Sequence, residues 1–293
     1  MAYQDTTQRF LFENADVRGE LVALETSYRE VLAKHDYPEP VRELLGQMLA
    51  AAVLLSTTIK FDGLLILQAT STGPVSTLMV ECASDQAVRG IARYNENVTD
   101  GSLADLMPGG ILAITVDPQE GQRYQGIVSL DGANLAECLN GYFENSEQLP
   151  TRFRLQADGR SARGLLLQAL PADRQPDLEQ RAATWEHLNI LADTLTAEEL
   201  LSLDNATILR RLFHEEDVRL FDHRGVRFEC SCSMERSGNA LVSLGRDDAM
   251  ALLDEQNGEI EIDCQFCNTR YLFDRSRLEA LFHSAQEHAK RLH

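Results

Sequence analysis

Positive charge is scarce in this sequence. Over 293 residues, 27 Lys and Arg stand against 46 Asp and Glu, giving a net charge of −19. Nucleic-acid phosphates are gripped by Lys and Arg, so no unaided nucleic-acid partner is expected. Anionic membrane surfaces are disfavoured for the same reason. Long apolar runs are also missing. The longest, Met48 to Leu55, has Glu43 before it and Lys60 after it, and it is too short to cross a bilayer. Residues 1–9 are polar and lack the apolar stretch of a secretion signal, so a cytoplasmic location is expected. Gly63 and the Gly109-Gly110 pair fit neither G-x-G-x-x-G nor a Walker lysine loop, which leaves an ATP-driven mechanism without support. His283, His288 and His293 lack the i, i+4 spacing of a helical metal pair and are expected to face solvent.

What is present suits a globular chain. Hydrophobic residues make up 44% and charged residues 25%, enough to build a core. The length favours one large domain with a smaller one. The expected fold class is α+β: a mixed core domain with a largely antiparallel sheet and helices, a helical linker, and a small C-terminal four-cysteine domain. The boundaries fall at 1–175, 176–228 and 229–293.

In the first segment, Val41 to Ile59 is apolar on all sides, as a buried helix is. Strands are expected at Leu64–Gln68, Val75–Glu81, Ile111–Val116, Gln125–Leu130, Arg152–Gln156 and Gly164–Leu170, with a helix at Asn134–Phe143. Cys82 and Cys138 sit alone in apolar elements and read as buried small hydrophobes. Pro171 to Pro176 interrupts the pattern. Beyond it Leu178, Ala182, Trp185, Leu188, Ala192 and Leu195 make one helical face, and Thr196-Ala197-Glu198-Glu199 is a capping box for a second helix. A third helix is expected over Leu200–Phe213. Between Asp173 and Glu229, 13 acidic residues face 7 arginines. Such short helices are marginal alone and need a surface to pack on.

The last segment carries the chemistry. Cys230 and Cys232 form a C-S-C pair, and Cys264 and Cys267 a C-Q-F-C pair. Four thiols in two tight pairs can supply the tetrahedral soft-ligand site that zinc prefers. The same thiolates are the form that oxidants attack. An inert structural zinc site, a redox-switched site and a disulfide framework all remain open on spacing. A reducing cytosol argues against the framework, and C-x-C is tighter than the usual structural knuckle. A thiol-disulfide oxidoreductase would place its C-x-x-C at the opening of a helix, whereas here the pair follows the alternating strand Glu259–Ile262. A constitutive zinc-ribbon module for nucleic acid is opposed by the acidic balance. Ser237-Gly238-Asn239 reads as a turn, Arg246–Leu253 as a helix, Asn257-Gly258 as a hairpin turn, and Arg275 to about Lys290 as a helix. A fragment of this size usually needs a staple, and a structural zinc site contributes about 10 kcal/mol or more.

The motifs resemble those of the heat shock protein 33 family, redox-regulated holdase chaperones of the bacterial cytosol. The resemblance rests on R-G-E-L-V-A-L at 18–24, L-L-G-Q-M-L-A-A-A at 44–52, I-K-F-D-G at 59–63, G-P-V at 73–75 and R-R-L-F-H-E-E-D-V-R-L-F at 210–221. Most specific are F-E-C-S-C-S at 228–233 and C-Q-F-C-N-T-R-Y-L-F-D at 264–274. The chain departs from the family pattern at Met234, where a basic residue is expected, and at Gln47, where an acidic one is frequent. The resemblance implies one zinc ion per chain, bound in the reduced state by Cys230, Cys232, Cys264 and Cys267. It further implies redox-active disulfides pairing Cys230 with Cys232 and Cys264 with Cys267 on oxidation. Zinc release, linker unfolding and ATP-independent binding of unfolded client proteins would follow, with a homodimer in the oxidised state. It implies a binding protein and no catalytic residues.

Overall fold

The computed structural model describes residues 5–291, with side chains to residue 284. The chain divides into two compact units, Met1–Glu229 and Cys230–His293.

In the first unit the elements run β1 Thr6–Phe12, β2 Val17–Leu24, α1 Thr26–Leu32, α2 Glu39–Thr58, β3 Gly63–Thr70, β4 Val75–Ala83, β5 Ala87–Tyr94, α3 Leu103–Leu106, β6 Ile111–Pro118, β7 Tyr124–Ser129, α4 Leu135–Asn145, β8 Thr151–Ala157 and β9 Ala162–Ala169. The segment beyond the proline break follows as α5 Leu178–Asp193, α6 Ala197–Ser202, α7 Asn205–Phe213, β10 Val218–Gly225 and β11 Arg227–Phe228. One sheet has the order β10-β1-β2-β9-β8 and the other β11-β5-β4-β3-β6-β7. Every pairing in them is antiparallel except β11 on β5.

Helix α2 is the centre of this unit. Pro40 sits in its first turn, where a missing N–H costs nothing. From Leu44 to Thr57 all but Gln47 are buried, and the helix packs on strands of both sheets. The all-round apolar pattern follows from that sandwiched position.

The first sheet is covered on both faces, which explains the unbroken burial of β9. Leu166 joins the α2 core. Its neighbours Leu165 and Leu167 point the other way, into a second cluster with Phe10, Phe12, Leu188, Leu200, Ile208, Leu212 and Phe213. The surface the short helices need is therefore this sheet face. Only the later half of the expected α5 stripe is used: Leu188, Ala192 and Leu195 are buried, while Leu178 is 75% exposed. The expected 200–213 helix is split, because Leu203 is extended and Asp204 caps α7 by accepting from Thr207 N–H. Strands β5 and β10 carry no sequence expectation above. Strand β10 is mostly exposed along its length and joins the sheet through its pairing with β1.

The second unit contains α8 Met234–Leu244, α9 Arg246–Glu255, β12 Glu259–Asp263, β13 Arg270–Asp274 and α10 Arg275–Arg291. Its core is Leu241, Ala249, Leu253, Ile260, Phe273, Leu278 and Phe282. Two turn expectations are corrected here. Ser237-Gly238-Asn239 lies inside α8, where Gly238 packs so closely that a Cβ would come within 2.8 Å of Leu281. Asn257-Gly258 does adopt positive φ, but it joins α9 to β12 and not two strands. The hairpin of β12 and β13 turns instead through the second cysteine pair.

Candidate metal centre

The two cysteine pairs are presented by different local devices. Cys230 and Cys232 lie in the stretch between β11 and α8, outside any helix or strand, and their sulfurs come to one place. Ser233 ends the stretch by capping α8 through Arg236 N–H. The Arg236 guanidinium folds back to Ser231, donating to its carbonyl at 2.9 Å and to its hydroxyl at 2.7 Å. The second pair occupies the β12–β13 turn. There Cys264 N–H donates to Thr269 O at 2.9 Å and Asn268 N–H to Cys264 O at 2.8 Å, with Asn268 at φ 59°. That turn aims the backbone N–H groups of Phe266 and Cys267 at the Cys264 sulfur.

The four sulfurs converge. All lie within 4.8 Å of one another. Cys230 Sγ is 3.7 Å from Cys264 Sγ, and Cys232 Sγ is 3.4 Å from Cys267 Sγ. A disulfide would require about 2.05 Å, and all six cysteines are free thiols. A metal–sulfur bond of about 2.3 Å in a tetrahedron sets sulfurs about 3.8 Å apart, so the spacing fits one ion among four thiolates. Among the described residues, this is the cluster of Cys, His, Asp and Glu able to hold a metal ion.

Two further side chains reach the sulfurs. Tyr271 Oη donates to Cys232 Sγ at 3.0 Å, and Thr269 Oγ1 lies 3.2 Å from Cys267 Sγ. Sequence reading gave Tyr271 no role beyond its place in the 264–274 motif; its signal was a polar aromatic two positions past Thr269 and four past Cys267. With no cation among them, four packed thiols cannot all ionise. Burial, reinforced by neighbouring thiols, pushes Cys232 up to about 12 and also raises Cys264. Burial opposes ionisation at Cys267 too, yet hydrogen bonds from Thr269 and the adjacent thiols outweigh it and bring it to about 6. The cluster thus carries negative charge most easily at Cys267, and a cation would draw the other three thiols into ionisation.

The remaining thiols are as expected. Cys82 is fully buried, and burial raises it to about 12; Cys138 is 6% exposed and is raised for the same reason. Neither offers a thiolate near neutral pH. His283 is exposed, while the His288 side chain and His293 lie outside the described residues. No helix among the described residues is long and apolar enough to cross a membrane.

An α+β body followed by a small unit in which four thiols converge defines a two-unit protein with a candidate metal centre in its second unit. The Hsp33 protein family model matches residues 5–274. The 33 kDa chaperonin of Pseudomonas fluorescens is 66% identical over 283 residues, covering 96% of this chain and 94% of that one. That of Pseudomonas aeruginosa is 65% identical over 287 residues and 97% of each chain; that of Azotobacter vinelandii is 65% identical over 95% of this chain and 94% of its own. A crystal structure of the Thermotoga maritima 33 kDa chaperonin, 24% identical, has a TM-score of 0.78 over 96% of this chain and 99% of that one, which shows the shared fold. The chain belongs to the Hsp33 family of chaperones.

Proposed function

We propose that this chain is a redox-regulated, ATP-independent holdase and not an enzyme, working in the cytoplasm. The reading is carried by one observation: four sulfurs converge within 4.8 Å in a unit whose buried core, among the described residues, numbers seven side chains. Zinc is the metal that an all-thiolate tetrahedral set favours, one per chain, held by Cys230, Cys232, Cys264 and Cys267. When bound it neutralises thiolate charge and contributes about 10 kcal/mol or more to folding of such a module. That exceeds what a small core supplies alone.

Oxidation removes the ligands. For each pair, two thiolates give two electrons to one peroxide molecule; an S–S bond forms, the O–O bond breaks, and two hydroxide ions leave. We assign the pairs as Cys230 with Cys232 and Cys264 with Cys267, each closing on its near neighbour. Disulfide sulfurs carry no negative charge and cannot hold the ion, so the unit loses its clamp. Cys230 follows directly on Glu229, whose N–H is bonded to Val88 O at 3.1 Å. Loosening from Cys230 backwards would free β11 and then β10, and with them the 176–228 segment acting as a redox-sensitive linker. The sheet face under α5–α7 would then be exposed, bearing Phe10, Phe12, Leu165 and Leu167, an apolar surface of the kind that binds unfolded client proteins. A net charge of −19 keeps the loaded complex soluble. The oxidised chains would pair as a homodimer, with no role for nucleic acid or membrane.

The test is aggregation of a thermally unfolding client protein. Peroxide with mild heat should raise suppression well above that of the reduced, zinc-loaded protein; equal suppression by the two forms overturns the reading. A thiol-disulfide oxidoreductase would instead reduce insulin catalytically.

A further inference from the structure

Four cations converge on one concavity of the first unit. It encloses about 410 Å³ beside the C-terminus of α2 and is lined by Arg9, Arg18, Lys60 and Arg224, with no carboxylate among its lining residues. Acidic residues outnumber basic ones 46 to 27 over the chain, so this lining runs against the chain's own charge balance.

A purely structural role accounts for only part of it. Arg9 Nη2 donates to Thr57 O at 2.7 Å and Arg18 Nη2 to Thr58 O at 2.9 Å, capping the end of α2. A helix C-terminus carries about half a negative charge. Glu20, 3.4 Å from Arg9, adds one more. Arg9 and Arg18 already balance those two. Lys60 and Arg224 are exposed and come in addition. Among the described residues, no carboxylate lies within 4.0 Å of Arg18, Lys60 or Arg224. Arg224 reaches the Ser84 carbonyl at 3.4 Å. Asp62 accepts from Ser84 Oγ at 3.1 Å, and Glu20 and Asp222 line the adjoining concavity. Burial is the main cause lowering the pKa of Arg18; the charge of Arg9 acts the same way and that of Glu20 opposes it.

We propose that this concavity binds a small phosphate-bearing anion, gripped by the guanidinium groups of Arg9, Arg18 and Arg224 and the ammonium of Lys60. Guanidinium forks match the paired oxygens of a phosphate, and lysine adds a point charge. The neighbouring hydroxyls take no donor role, since Ser56, Thr57 and Thr58 each donate to a carbonyl one turn back at 2.7 Å. The net charge of −19 repels long polyanions, so the occupant is orthophosphate or the phosphate end of a small molecule. Arg224 stands on β10, Arg9 on β1, Arg18 on β2, and Lys60 in the connection just beyond α2. A bound anion would therefore tie β10 to the rest of the unit and stabilise it by mass action.

The full-length reduced protein would be titrated calorimetrically, at fixed ionic strength, with orthophosphate, tripolyphosphate and a nucleoside triphosphate, using the free nucleoside as control. Saturable binding of at least one phosphate compound, and none of the nucleoside, is expected. In Lys60→Ala/Arg224→Ala, which leaves the α2 cap in place, affinity should fall about tenfold or more, while Arg123→Ala, outside the lining, changes nothing. Tightest binding by the nucleotide identifies a nucleotide, and equal binding by tripolyphosphate identifies the phosphate chain alone. Absence of saturable binding by all three at millimolar concentration, or undiminished binding in the double variant with its circular dichroism intact, overturns the proposal.

Discussion

Tyr271 shows how much of a metal centre lies outside its ligands. Its hydroxyl reaches Cys232 Sγ at 3.0 Å from a strand position paired with Ile262. Hydrogen bonds of this kind orient ligands and temper their charge. Tyr271→Phe should keep the fold and one bound zinc but weaken affinity about 10–100-fold, measured by competition with a chelator; unchanged affinity would assign Tyr271 to packing alone. Cys264→Ser removes one of the four converging sulfurs, the one that the Phe266 and Cys267 amides face. It should lose tight zinc and loosen the second unit even under reductant. One tightly held zinc per chain in that variant would contradict a site of four thiolates. The four cysteines were legible in sequence as a candidate ligand set through their paired spacing, and their sulfurs do converge. Tyr271 and Arg236 were not, since a tyrosine on a strand or an arginine on a helix normally means packing or solvation.

At the scale of the element, the 176–228 segment holds to the sheet by a few identifiable contacts. Its entry is pinned by Asp16, whose carboxylate accepts from the N–H groups of Asp173, Arg174 and Gln175 at 3.1, 2.9 and 3.0 Å. Burial opposes ionisation of Asp16, but these three donors outweigh it and hold its pKa below the usual carboxylate value. A depressed folded pKa gives stability that is present above the unfolded value of about 3.9 and is lost as pH falls through the folded one. Asp16→Ala should therefore cost about 2 kcal/mol at pH 7, with the gap to wild type closing towards pH 3 in denaturant titrations. A gap independent of pH would contradict the charged clamp.

Beneath the helices, the tip of the Phe10 ring meets Gly19, where a Cβ would come within 2.0 Å of it. The same ring packs on Phe12 and Phe213. Gly19→Ala should unseat it at a cost of about 1–3 kcal/mol and speed tryptic cleavage at Arg210 and Arg211 in the reduced protein. Cleavage no faster than wild type would show that α7 does not depend on that ring. Helices α5 to α7 were legible through their period and caps. Strand β10 was not, because an edge strand with little buried surface lacks the alternation that marks a strand, and its pairing with β1 is set by tertiary structure. The Gly238 turn failed for the converse reason: glycine marks close packing inside α8 as well as turns.

For the whole molecule, the division of stability matters more than its total. The first unit has two extensive apolar clusters, one on each side of the β10-β1-β2-β9-β8 sheet. The second, among the described residues, has a single small one beside its four converging thiols. The α+β class and the dominance of α2 were readable from composition and pattern. The boundary before the first cysteine pair was readable too; that α5–α7 and β10 are counted in the body was not, because helices that fold onto a sheet and helices that merely link domains share the same amphipathic signature. The most direct test of the central claim is amide hydrogen exchange on the reduced, zinc-loaded chain and on the fully disulfide-bonded, zinc-free chain. Protection should vanish in the oxidised form over 230–284 and fall steeply over 178–225, while α2 and the β3–β4 ladder stay protected. Retained protection across the second unit and α5–α7 after zinc loss would contradict the account.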